Sequence, residues 1–206
     1  MKRPAGRPRT VRAGTVTEQR RQELVQAAFN QIAQHGFEGL RTRDVASEVG
    51  VNIATLHYYF PTKEALIRGV LDSVMERFRV TLEPHGSPAD QLRNHLRAVR
   101  KLMTDEPHVA SVMGELALRS TRDKSIASIM DKTYDVWQTT MRGLLRRAVR
   151  EGGASPELDS DAVAAIIMTT LTAMPLPHFR GNNRSDQAFK QLERWLGTGN
   201  RKASSN

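Results

Sequence analysis

The residues with the most legible chemistry lie between Thr42 and Lys63, in TRDVASEVGVNIATLHYYFPTK. Leu56 and Phe60 stand four apart and mark the inner face of a short helix, with Ile53 to one side. Ala54 and Tyr58 fall opposite them, flanked by Thr55 and His57. Hydroxyl, imidazole and phenol groups on one outward face, beside a residue as small as alanine, suit hydrogen bonding to phosphates or base edges at close approach. Catalytic and metal chemistry find no comparable pattern. The six histidines show no HExxH or Cys–His spacing, and the chain has no cysteine. No GxSxG elbow, P-loop or GxGxxG run occurs. Asp105, Glu106 and His108 are neighbours, but such a cluster in a loop is most often solvated charge. No catalytic residue, metal ligand or cofactor is therefore assigned.

The outward set needs a scaffold. Thr42 reads as the N-cap of a preceding short helix, with Asp44 in its first turn, where the helix dipole favours an anion. Val45, Ala46 and Val49 form its inner face, Gly50 supplies a turn, Val51 plugs the core, and Asn52 caps the next helix. Pro61 ends that helix. Thr62-Lys63-Glu64 opens another, with Thr62 as cap and the Lys63 cation aimed at a passing phosphate backbone. Upstream, Glu18–His35 carries Leu24, Ala28 and Ile32 at helical spacing, widened by Val25 and Phe29. Gly36 suits the residue after a helix end, with Phe37 folding back onto the last turn.

From about residue 19 to 66 the run resembles the DNA-binding domain of the TetR family of bacterial regulators. The carrying residues are Gly36-Phe37, Thr42-Arg43-Asp44-Val45-Ala46, Gly50-Val51, Leu56-His57-Tyr58-Tyr59-Phe60 and Pro61-Thr62-Lys63-Glu64-Ala65-Leu66. The resemblance implies an all-α homodimer, usually a repressor, with an N-terminal DNA head and a larger C-terminal domain for ligand binding and dimerisation. It implies that Thr42 and Arg43 contact backbone and sometimes a base. It sets Ile53, Thr55, His57, Tyr58 and Tyr59 on or beside the recognition helix, and Lys63 on the phosphates. Two residues depart from the family pattern. Position 53 is usually polar there, so Ile53 either touches a thymine methyl or packs locally. His57 stands where tyrosine is commoner, and it can bond a phosphate as a neutral donor or, at low pH, as a cation.

Residues 1–17 are rich in Lys, Arg, Pro and Gly and read as an extended arm. Within them Ala5-Gly6-Arg7-Pro8-Arg9 resembles the core of an AT-hook, in which Arg7 and Arg9 would enter a narrow minor groove. The plain alternative is a solvated basic tail. The head then spans 18–64, a helical body 65–197, and a disordered tail 198–206, with about nine helices in all.

In the body, Leu66, Val70, Val74 and Phe78 recur every four residues and predict one long helix over 65–82, broken by Pro84 to Pro88. Further helices are expected over 89–104, 108–119, 122–151 and 159–174, and after a polar Arg180–Asp186 link. No strand alternation occurs. Soft residues gather in this region. Met113, Tyr134, Trp137 and Met141 are candidates to line a pocket, the alternative being ordinary core. The resemblance adds an apolar small-molecule effector of unspecified identity. At the C-terminus, Val163, Ile166, Ile167 and Thr170 on one helix and Phe189, Leu192, Trp195 and Leu196 on the last match the family's usual dimer interface. Packing within one chain is the alternative.

The formal charge of +9 favours a polyanionic partner, either nucleic acid or an anionic membrane surface. The longest apolar run, Ala162–Met168, is too short to span a bilayer. No apolar segment follows the basic N-terminus as it would in a secretion signal. The expected partners are therefore duplex DNA and a second copy of the chain, in a bacterial cytoplasm beside the nucleoid. A non-catalytic helical adaptor whose basic head binds an acidic surface is the alternative of a different class.

Overall fold

The computed structural model describes residues 10–174, 176 and 183–196. Among the described residues the secondary structure is helical throughout, with nine α-helices and one short 3-10 turn. They are α1 (Thr10–His35), α2 (Thr42–Glu48), α3 (Ile53–Tyr59), α4 (Lys63–Arg79), α5 (Pro88–Asp105), α6 (Pro107–Ser120), α7 (Lys124–Arg150), α8 (Ser160–Ala173) and α9 (Asn183–Trp195); the 3-10 turn is Phe37–Gly39. No described helix is long and apolar enough to cross a membrane.

The chain divides into two compact units after Val70, rather than at 64/65, so the first two turns of α4 belong to the N-terminal unit. The core of that unit shows why. Leu66, Ile67 and Val70 of α4 are buried, as are Leu24, Ala28 and Ile32 of α1, Val45 and Ala46 of α2, and Leu56 and Phe60. Gly69 permits the fit, because a Cβ there would stand 3.0 Å from both the Phe60 ring and Val25. The first helix begins at Thr10, not at Glu18, so the expected arm over 1–17 is helical from its tenth residue. The last proline before that point is Pro8, and nothing after it breaks a helix. Arg7 and Arg9 lie outside the described residues, as does the tail from 197.

In the second unit α7 is the axis, with α5, α6 and α8 each packed on it and α9 set against α5 and α8. Its buried positions run from Ile126 to Ala148 at helical spacing. Asp123 caps its start by accepting from the backbone N–H groups of Ser125 and Ile126. Gly152, at φ 71°, ends it, with the Gly152 N–H bonding Val149 and the Gly153 N–H bonding Ala148. The last helix starts at Asn183, so most of the expected Arg180–Asp186 link is its polar first turn. Three arginines of α5, spaced four and three apart, hold α9. Arg93 donates to the Leu196 carbonyl at 2.6 Å, Arg97 grips Glu193 with two nitrogens, and Arg100 pairs with Asp186 at 2.6 Å.

Candidate nucleic-acid interface

Beyond the buried Val45 and Ala46, one largely buried amide ties α2 to α1. Gln31 of α1 accepts from the Arg41 N–H at 3.4 Å and donates to Glu48 at 3.5 Å, touching both ends of the helix. The N-cap is Arg41, not Thr42. The Arg41 carbonyl accepts from the Asp44 and Val45 N–H groups, no side chain caps the helix, and Thr42 is its first residue. The turn follows from one glycine. Gly50 has φ 70°, its N–H bonds the Ser47 carbonyl, and the Val51 N–H reaches back to Ala46 at 2.9 Å. This paired closure satisfies the last carbonyls of α2 and sends the chain into α3. Arg20 of α1 adds a bond to the Val49 carbonyl at 3.3 Å.

Helix α3 is capped by Asn52, whose Oδ1 accepts from the Thr55 N–H at 2.7 Å and from the Thr55 hydroxyl at 2.9 Å. Leu56 and Phe60 pin the helix inward, and the Arg21 guanidinium lies over the Phe60 ring. The opposite face is open: Tyr58 is 77% exposed, with Ile53 and His57 exposed beside it. Tyr59 is half-buried and meets Tyr58 edge to face, with ring centroids 5.2 Å apart. Arg43 is exposed at the start of α2 and Thr42 half-buried. Two expected contacts are already engaged. The Thr55 hydroxyl spends its proton on Asn52, so it has none for a phosphate oxygen and can only accept, as from a base-edge amino group. Lys63 lies 4.7 Å over the Phe37 ring rather than standing free, while Thr62 caps α4 as expected, accepting from the Ala65 N–H at 3.1 Å.

In the body, Met113, Tyr134 and Trp137 meet around a cavity of about 10 Å³, with Phe78, Met103, Leu171 and Thr172 completing its wall. That is room for one water molecule. Met141 takes no part, being fully buried one turn further along α7. Burial pushes the Tyr134 hydroxyl up from its ordinary value, opposed by its bond with Thr172. Phe78 and Trp137 stack with centroids 5.0 Å apart and planes 13° from parallel.

Beside the stack sits a residue that sequence reasoning missed. His95 is 1% exposed. The Thr81 hydroxyl donates to the Phe78 carbonyl at 2.7 Å, so His95 Nδ1, 2.8 Å from that oxygen, must be the donor there. His95 Nε2 is then the acceptor, and the Trp137 indole N–H reaches it at 3.4 Å. One neutral tautomer satisfies all three groups. Burial pushes the imidazole down to about 4, since a second proton would be desolvated and would face the indole N–H. The signal in the sequence was a histidine on the apolar stripe Leu92, Leu96, Val99 of α5.

The expected dimer residues divide by helical phase. Val163, Ile167, Phe189, Leu192 and Leu196 are buried within one chain, whereas Ile166 and Trp195 are exposed and Thr170 is half-buried. Assigning the first five to an interface between chains is corrected: they are core. Ile166, with Ala165, Thr169, Thr170, Ala173, Met174 and Ala188, lines an open groove of about 430 Å³.

A glycine-turned pair of short helices with an outward polar and aromatic face, carried by an all-helical body, defines a helix-turn-helix DNA-binding protein. Comparison with known proteins agrees. The family described as bacterial regulatory proteins of the tetR family matches residues 24–70, and the tetracyclin repressor-like C-terminal domain matches 82–179. The nucleoid occlusion factor SlmA of Photobacterium profundum is 28% identical over 162 residues, covering 76% of this chain and 82% of that protein. The HTH-type transcriptional repressor KstR2 of Mycobacterium tuberculosis is 26% identical, covering 77% and 80%. A TetR-family regulator structure from Rhodococcus sp. shares the fold with a TM-score of 0.74 at 22% identity, covering 87% of this chain and 99% of that one. The chain belongs to the TetR family and is a DNA-binding transcriptional regulator.

Proposed function

We propose that the protein is a homodimeric, non-catalytic repressor that binds a palindromic operator and releases it when a small molecule occupies the body. The observation that carries this reading is the outward face of α3, where Tyr58, His57 and Ile53 are exposed while Leu56 and Phe60 fix the helix from behind. Arg43 and Tyr58 are the principal DNA contacts. Thr42, Thr55, Tyr59 and Lys63 act at the edge of that surface. Dimerisation is supported by the open α8–α9 groove around Ile166, because two helix-turn-helix heads gain their half-site spacing from two-fold symmetry. The effector reading rests on the family resemblance, since the cavity beside Trp137 as it stands holds one water molecule, and the repressor reading on the likeness to the HTH-type transcriptional repressor KstR2.

Fluorescence anisotropy with duplexes from the protein's own promoter region tests the head. Tyr58→Ala and Arg43→Ala should each weaken binding by about tenfold, a contact worth roughly 1–3 kcal/mol. Affinity should also fall steeply with salt. Undiminished binding by both variants would refute the assignment of this face.

A further inference from the structure

The body carries an open groove of about 580 Å³, between the segment after α4, the start of α5 and the C-terminal half of α7. That is the volume of a small-molecule site. Its α7 wall follows from helical spacing, with Thr139, Gly143, Arg147 and Arg150 recurring at three and four. Gly143 leaves a low point in that wall, since a Cβ there would meet nothing within 4 Å. Leu82, Pro84 and Leu144 give the groove an apolar floor. Three guanidinium groups line it, and no carboxylate does.

Those charges are only partly neutralised. Arg146 pairs with Asp161 at 2.9 Å, but Arg142 draws on the same carboxylate at 3.6 Å. The Arg147 and Arg150 side chains have no ion pair among the described residues. A basic last turn complements the dipole of α7. That alone accounts for neither the groove nor its apolar floor. The polar rim supplies acceptors: the Thr140 hydroxyl donates to Val136, and the Gln91 amide N–H donates to Gly86, leaving an oxygen free on each side chain.

We propose that this groove binds a small amphipathic anion. Its carboxylate, sulfonate or phosphate head sits on Arg147 and Arg150, and its apolar body crosses Gly143 against Leu82, Pro84 and Leu144. The site is separate from the Trp137 cavity and does not rest on the DNA-binding reading.

Anilinonaphthalene sulfonate, titrated into the full-length protein by fluorescence, is the probe, with uncharged N-phenylnaphthylamine as its counterpart. Replacing both arginines (Arg147→Gln with Arg150→Gln) should weaken the sulfonate about tenfold, from the loss of two charge-assisted contacts. The uncharged amine should hold within about twofold, because the floor is intact. Gly143→Leu should fold well, since it fills open space at a helical glycine, and it should weaken both probes by occupying the groove. Sulfonate binding indifferent to the arginine changes overturns the proposal, as does binding of both probes indifferent to Gly143→Leu. A probe held only elsewhere on the protein gives those same indifferent results and overturns it equally.

Discussion

Replacing His95 with leucine tests the buried node of the body most directly. Leucine fills much of the imidazole volume but can neither donate to Thr81 nor accept from Trp137. The indole N–H is left buried without an acceptor, at a cost of about 1–3 kcal/mol, and the lost bond to Thr81 adds about 1 kcal/mol. Trp137→Phe alone should cost about 2 kcal/mol, through lost buried area and a stranded His95 Nε2. The double variant strands neither group, so its destabilisation should fall short of the two single losses combined by about 1 kcal/mol. Urea unfolding followed by circular dichroism measures all four proteins. Losses that simply add, to within about 0.4 kcal/mol, would refute the reciprocal bond. The same residue sets a pH signature. Its folded pKa of about 4 lies below the ordinary 6.5, so between those values the unfolded chain holds a proton that the folded chain refuses. Its contribution is complete above pH 6.5 and is lost as pH falls toward 4, a change of about 3 kcal/mol. His95→Leu should flatten the stability profile across that window by about that amount. An unchanged profile would show that His95 is not held neutral.

Three further outcomes follow from named contacts. Asn52→Ala removes the acceptor for two Thr55 donors and should cost about 1 kcal/mol by thermal unfolding, with weaker DNA binding as α3 frays. Gly50→Ala meets no steric obstacle but must hold φ near 70°, so it should cost about 1 kcal/mol in urea unfolding; a neutral result would mean the turn can relax. Ile166→Arg places a charge on an exposed apolar face, so monomer stability should hold while sedimentation shifts from dimer to monomer.

Much of the head was legible before any coordinates. Gly50 between two apolar stripes required a turn, and Asn52 ahead of a helix pattern required a cap, because both are local demands of backbone geometry. The four-residue spacing of Leu56 and Phe60 fixed by itself which face of α3 turns outward. Errors entered where the decision was non-local. Thr42 looked like a cap, but Arg41 holds that position, and the Arg41 N–H is bonded by Gln31, ten residues before it. Lys63 looked like a free cation until Phe37, distant in sequence, came beneath it.

The apolar positions of α8 and α9 were correctly read as faces, yet periodicity cannot say whether a face meets its own chain or another. The arrangement of α5, α8 and α9 decided it, by burying Ile167 and Phe189 and leaving Ile166 open. The same holds for His95: composition showed six histidines without metal spacing. Only the tertiary structure brought Thr81 and Trp137 to the two nitrogens of one of them. Sequence thus determined what each short segment must do to satisfy its own backbone and bury its own stripe. The packed body decided which polar groups meet, because those partners lie 14 and 42 residues away along the chain.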